Sequence, residues 1–193
     1  MLPYYFSLLN YIPFERDSLV NLSKISMLHS VDHDNFVRKD NYPVEVLNPN
    51  FVNFLKDKNI SIRKVVVWHW KCNNPNVAHI DSGPNGSGPT SAINWTIDSN
   101  NNSCVNFYEF PIDNLSVKYA NQALPNWIVE NVSSYIPIDV STKSPITVWN
   151  DQGPCLINPN KIHMVVAPSL RITVSLQFQD DTSFLELVEK FIS

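Results

Sequence analysis

The sequence predicts a mainly β protein, an antiparallel sandwich or barrel, with one amphipathic helix before the sheets and one after them. Seven short runs rich in β-branched and aromatic residues carry the first part: RKVVVWHW, TSAINWTID, SCVNFYEF, PITVWN, PCLIN, KIHMVV and LRITVSLQF. They are punctuated by Pro, Asn, Asp and Ser and follow one another without intervening helices, which favours antiparallel sheets over alternating βαβ units. Helical spacing of apolar residues marks the two flanking segments.

Composition fits this class. The 193 residues are 44% hydrophobic and 17% charged, as expected of one globular domain spanning 1–193. A chain of this size buries enough apolar surface to fold without a disulfide or a structural metal. With 14 basic and 18 acidic residues, the net charge of -4 gives no electrostatic reason to expect a nucleic acid or an anionic membrane as the main partner. Cys72, Cys104 and Cys155 are widely spaced and form no CxxC pair, so a reducing, cytoplasmic location is expected and neither a disulfide framework nor a zinc knuckle is. No segment approaches the roughly 20 apolar residues of a membrane helix. The Asn-x-Ser/Thr triplets at Asn21, Asn59 and Asn94 are expected by chance where Asn is this abundant.

In chain order, residues 1–60 form N-terminal flanking segments and a helix. The opening MLPYYFSLLNYIPF lacks a basic n-region and is interrupted by Pro3 and Pro13, so it is expected to pack on the core. Within LNPNFVNFLKDKNI (47–60), Phe51, Phe54 and Leu55 share a helical face, with Asn48 or Asn50 as the cap. The β core follows over 61–178. Three of the four glycines, Gly83, Gly86 and Gly88, fall in one loop, DSGPNGSGP. It matches neither phosphate-binding glycine pattern and a strand follows it, so the expectation is a mobile lip beside a site. Residues 179–193 return to helical spacing through Phe184, Leu185, Leu187, Val188 and Phe191, with Asp181 or Thr182 as the cap.

Two segments could carry chemistry. In NVAHIDSG, His79 and Asp81 form a His-x-Asp pair. On an extended chain residues i and i+2 share a face and can converge on one metal ion, whereas on a helix they diverge by about 200 degrees. An exposed histidine beside an aspartate is the plainer explanation. HMVVAPSLRITVSLQF, which starts at His163, reads as strand, turn at Ala167-Pro168-Ser169, and strand. Paired as a hairpin, it sets His163 opposite Thr173, with Arg171 and Ser175 on the same face and Ile172, Val174, Leu176 and Phe178 on the other. On periodicity alone the favoured reading is an ordinary amphipathic strand, with Arg171, Thr173, Ser175 and Gln177 turned to water.

Taken together, His-x-Asp at 79 and 81, a second histidine at 163 and an arginine at 171 resemble the Fe(II)- and 2-oxoglutarate-dependent oxygenases. VAHIDSG, SAINWTI, SCVNFYEF and LINPNKIHMVVAPSLRITVSLQF resemble that family in texture over about residues 61–178. The resemblance implies a double-stranded β-helix, a cupin-like jelly roll, with flanking helices. It also implies an iron site of His79, Asp81 and His163, with Arg171 gripping the far carboxylate of 2-oxoglutarate bidentately. Thr173, and after it Ser175, are the implied hydroxyl donors to that carboxylate. The implied reaction uses O₂ to hydroxylate a small molecule or a protein side chain, releasing succinate and CO₂. Asp81 occupies the position where halogenating members would need a small residue.

Asn94 and Tyr108, on strands expected to line the interior, are weaker candidates for contact with cosubstrate or substrate. A structural amide and a core tyrosine explain them equally well. Trp68, Trp70, Trp95 and Trp149 are expected in the core and His69 in a packed or half-exposed position. His29 and His33, within HSVDHD, could meet at helical i, i+4 spacing in a second metal site, but no metal-motif frame surrounds them and a solvated polar turn is the better reading. Two rival functions stay open: a cupin-like metal protein that does not use 2-oxoglutarate, and a noncatalytic jelly-roll binding module.

Overall fold

The computed structural model describes residues 4–8, 31–32, 36–42, 47, 49–70, 77–80, 91–99, 103–111, 136–150, 153–158, 160–168, 171–178 and 183–193, with only the backbone for 31–32, 36–42, 69–70, 97–99 and 136–137. The expectations for His29, His33, Asn48, Asp81, the loop from Gly83 to Gly88, Asp181 and Thr182, and for the side chains of His69 and Trp70, lie outside the described residues.

The described strands are β1 (Tyr5–Ser7), β2 (Val31–Asp32), β3 (Phe36–Tyr42), β4 (Ile62–Trp70), β5 (Ala78–Ile80), β6 (Ala92–Ser99), β7 (Cys104–Tyr108), β8 (Ile136–Ile138), β9 (Thr147–Trp149), β10 (Cys155–Ile157), β11 (Ile162–Val166) and β12 (Arg171–Phe178). The helices are α1 (Pro49–Asp57), before β4, and α2 (Phe184–Ile192), after β12. The larger sheet runs β1-β10-β6-β12-β4-β3-β2 and the smaller β8-β5-β11-β7-β9. From β4 to β12 the chain passes repeatedly between the sheets, and the last two strands are inserted among earlier ones. β12 lies between β4 and β6, and β11 between β5 and β7. This winding is the double-stranded β-helix, with every pairing antiparallel.

All seven expected runs are strands. The N-terminal region does more than flank the core, because β1 pairs with β10 and β3 with β4, extending the larger sheet at both ends. β8 was not legible as a strand because it carries Pro137, which cannot donate to a ladder; its place at the end of the smaller sheet tolerates that loss.

Pleat alternation gives the larger sheet two buried faces. Its outer face presents Val65, Val67, Ile93, Val174, Leu176 and Phe178, which pack with Phe51 and Leu55 of α1 and Phe184, Leu187 and Phe191 of α2. Each such side chain contributes about 1.5 to 3 kcal/mol when fully buried. Its inner face meets the smaller sheet through Tyr4, Val105, Phe107, Trp149, Cys155 and Ile157.

The helices are fixed at their ends by local chemistry. Pro49 begins α1, where its missing N–H costs nothing, and Asn50 lies inside the first turn and so is not the cap. α1 closes with Asn59 at φ 50°, Ile60 N–H donating to Leu55 O at 2.8 Å and Asn59 N–H to Lys56 O at 2.9 Å. Lys190 of α2 donates to Asn59 O at 2.8 Å and ties the two helices together. The α2 cap is Ser183, two residues beyond the expected Asp181 and one beyond Thr182. Glu186 N–H donates to Ser183 Oγ at 3.3 Å and Ser183 N–H to Glu186 Oε2 at 2.7 Å. That reciprocal pair explains the shift: Ser-x-x-Glu satisfies two end donors where a lone Asp or Thr satisfies one.

Replacing Ser183 by Ala is expected to cost about 1 kcal/mol, read as a lower denaturation midpoint with unchanged m. Hydrogen bonds from Ser183 hold the Glu186 carboxyl below its ordinary range. A depressed folded-state value contributes stability that is present above the unfolded carboxylate range and lost as pH falls through the folded value. The Ser183→Ala penalty should therefore shrink in acid; an undiminished penalty there would show that the Ser183 side chain does not hold the Glu186 carboxyl down.

Candidate metal centre

His79 and His163 are brought together by register. β11 pairs His163 with His79 on one side and with Phe107 on the other, so all three side chains share one face of the smaller sheet. The two imidazoles lie 4.3 Å apart by ring centroids at 54°, and the His163 ring is 6.2 Å from that of Phe107. Phe107 belongs to the cluster between the sheets, so this face is the interior one. His163 is buried and His79 half-buried.

Both rings make the same local bond. His79 Nδ1 lies 2.9 Å from Val77 O, and His163 Nδ1 lies 2.8 Å from Lys161 O. A carbonyl oxygen has no proton to give, so Nδ1 must be the donor in each ring. In the neutral ring the lone pair is then on Nε2, the arrangement commonly used to orient metal-binding histidines. Position i-2 on the chain supplies the acceptor each time, which suits an imidazole folding back along an extended strand.

The interior face of the larger sheet supplies the polar groups opposite. β12 pairs Thr173 with Trp68 and Thr96, and Ser175 with Val66 and Asn94. Arg171, Thr173 and Ser175 are all buried, with Arg171 only 2% exposed. The amphipathic alternative with these residues in water is thereby corrected: the odd-numbered face of β12 is the face between the sheets. The expected hairpin is also corrected, since β11 and β12 belong to different sheets and His163 does not pair with Thr173. Both edges of each strand are taken by others, those of β11 by β5 and β7 and those of β12 by β4 and β6, so the segment between them crosses from one sheet to the other. The hairpin's consequence nonetheless stands by another route, with His163 and Arg171 facing the same interior from opposite sheets.

A bulge between Ile172 and Thr173 in the β12–β6 register shifts the pairing beside Arg171. Thr96 Oγ1 and Thr173 Oγ1 are 3.2 Å apart and share a hydrogen bond. Asn94 Oδ1 is buried with no hydrogen-bond partner among the described residues, an acceptor that a ligand could satisfy. Trp68, expected simply as core, is half-buried on this same face beside Thr173. Trp95 and Trp149 are in the core as expected.

Tyr108 is placed elsewhere. It pairs with Ile162, the neighbour of His163, so the pleat turns it to the outer face of the smaller sheet, where it packs with Ala78, Ile138 and Ile162. Desolvation by burial raises its pKa, so the phenol stays protonated at neutral pH.

Among the described residues no three His, Cys, Asp or Glu side chains form a metal-holding group. Asp81 follows β5 by one residue, outside the described set. The backbone carbonyls of Val77 and Lys161 were not foreseeable, because a main-chain acceptor leaves no residue-type signal.

No family model matches the chain, and no curated protein sequence does. Among solved structures it is similar to HygX from Streptomyces hygroscopicus with nickel and 2-oxoglutarate bound, at 9% identity and a TM-score of 0.47 over 85% of this chain and 79% of that one. HygX with nickel, 2-oxoglutarate and hygromycin B bound gives 8% identity and 0.48, over 90% of this chain and 81% of that one. SnoK, a non-heme alpha ketoglutarate dependent carbocyclase from nogalamycin biosynthesis, gives 9% identity and 0.47, over 91% of this chain and 79% of that one.

Proposed function

We propose that the protein is a mononuclear non-haem Fe(II), 2-oxoglutarate-dependent oxygenase that hydroxylates a small molecule or a protein side chain, with succinate and CO₂ as coproducts. The observation that carries this is the pair of interior imidazoles whose Nδ1–H groups are committed to carbonyls, opposite a buried arginine. The donor set fits the metal: two neutral imidazoles supply nitrogen and Asp81 would supply oxygen, a combination suited to Fe(II). His79, Asp81 and His163 would hold the ion. When bound, iron and 2-oxoglutarate together supply the activation of O₂.

The chain's own contribution is orientation and exclusion of water. Arg171 offers a planar fork that would grip the far carboxylate of 2-oxoglutarate, with Thr173 or Ser175 donating a hydroxyl beside it. Thr173 already shares a hydrogen bond with Thr96, and with Thr96 as the donor of that bond the Thr173 proton is left to direct at a carboxylate. The Asn94 amide is available to cosubstrate or substrate. Phe107 and its aromatic neighbours Tyr4 and Tyr5, at 5.8 and 5.6 Å by ring centroids, keep the region behind His163 apolar. The test is succinate formation from 2-oxoglutarate under O₂ with added Fe(II), screened over amino acids, peptides and small metabolites. Substrate-stimulated succinate is the expected result, and Fe(II)-independent turnover would overturn the assignment.

A further inference from the structure

We infer that Asn158 is a positioning residue for the His163 imidazole, acting through the tight turn that leads into β11. This inference rests on the proposed role of His163 as a ligand. Asn158 lies in the sequence Asn158-Pro159-Asn160-Lys161, with Asn and Pro in the first two places that β-turns prefer. It is 5% exposed and makes three bonds that define the turn. Its carbonyl accepts from Lys161 N–H at 3.2 Å, and its Oδ1 accepts from Asn160 N–H at 3.2 Å. Its own N–H donates to Tyr4 O at 3.1 Å.

The next link is Lys161. Its backbone N–H is held by Asn158, and its carbonyl accepts the Nδ1–H of His163 at 2.8 Å. The far end of its side chain is held as well, 3.7 Å from Glu109 Oε1 and 5.2 Å over the Tyr4 ring. The peptide that fixes the His163 tautomer is therefore anchored on one side by Asn158 and on the other by Tyr4 and Glu109. Of the three Asn158 bonds only the one through Oδ1 depends on its side chain; losing it loosens Asn160 and with it the adjoining Lys161 peptide, so that Lys161 O can turn away, the Nε2–H tautomer of His163 competes, and the lone pair meant for a metal moves to the wrong nitrogen. His79 uses a separate carbonyl, that of Val77, and serves as an internal control.

The experiment is long-range ¹H–¹⁵N correlation NMR of the imidazole nitrogens in metal-free protein at a pH where both rings are neutral, alongside Fe(II) titration under anaerobic conditions. Wild type should show both histidines as Nδ1–H tautomers. Asn158→Ala should add an Nε2–H population to His163 alone and weaken Fe(II) by about 10- to 100-fold, the usual effect of losing an outer-shell partner. Asn158→Asp keeps the acceptor for Asn160 N–H and should restore the wild-type pattern. If the Ala variant does not fold, Asn158→Ser, whose hydroxyl makes the same turn bond more weakly, should show a smaller change of the same sign. A pure Nδ1–H tautomer at His163 in the Ala or Ser variant, or an equal change at His79, overturns the inference. Wild-type protein with both expected tautomers but no Fe(II) binding overturns the metal assignment and leaves the link from turn to imidazole standing.

Discussion

The double variant His79→Ala, His163→Ala is expected to bind no stoichiometric Fe(II), whereas wild-type protein purified anaerobically is expected to bind one ion per chain. The two rings are the proposed nitrogen donors, 4.3 Å apart by centroids on one face, and removing both would leave only the proposed carboxylate of Asp81. The loss should exceed the roughly 10- to 100-fold that an outer-shell substitution costs. Folding can be separated from ligation by thermal shift. Fe(II) at about 100 times its Kd adds roughly 2.7 kcal/mol to the wild type and should add nothing to the variant. Acidification should also release the ion, because both rings must be neutral to ligate. Stoichiometric iron retained by the folded double variant would sink the assignment.

The sequence exposed the strands of this fold better than their partners. β-branched runs such as RKVVVWHW and LRITVSLQF became β4 and β12 because strands buried on both faces need continuous apolar or packed residues. Edge strands need much less. β1 and β8 are three residues each, paired on one side, and nothing in YFS or IPI separates them from loop.

Periodicity divides odd from even residues within one strand but says nothing of parity between strands. Arg171, Thr173 and Ser175 were correctly grouped together, yet whether that face met water or a second sheet depended on a layer that local sequence does not encode. Tyr108 failed for the same reason. Its neighbour Phe107 pairs with His163, and a shift of one residue in that register would have exchanged their faces. The α2 cap was legible in principle, since Ser183 and Glu186 have the Ser-x-x-Glu spacing, but Asp181 and Thr182 offered competing caps just before it.

Replacing Arg171 by Leu should raise the KM for 2-oxoglutarate sharply and leave Fe(II) occupancy nearly intact, since Arg171 is not a ligand to the ion. At 2% exposure its guanidinium is a cation held almost wholly out of water, at the end of a central strand between β4 and β6. A planar guanidinium at this depth can offer an incoming dicarboxylate a bidentate, charge-assisted contact away from water. Breaking a desolvated, charge-assisted pair of this kind typically costs about 2 to 5 kcal/mol of binding, a loss of roughly 30-fold to several thousand-fold. Lys should restore part of it, because the charge returns without the planar fork. The same measurement divides the rival functions. A cupin-like metal protein with no use for 2-oxoglutarate would show no cosubstrate binding for Arg171→Leu to weaken, while a noncatalytic jelly-roll module would lack the metal as well. Wild-type affinity for 2-oxoglutarate in a folded Leu variant would leave the buried cation with a purely structural role, holding the end of β12 between the sheets.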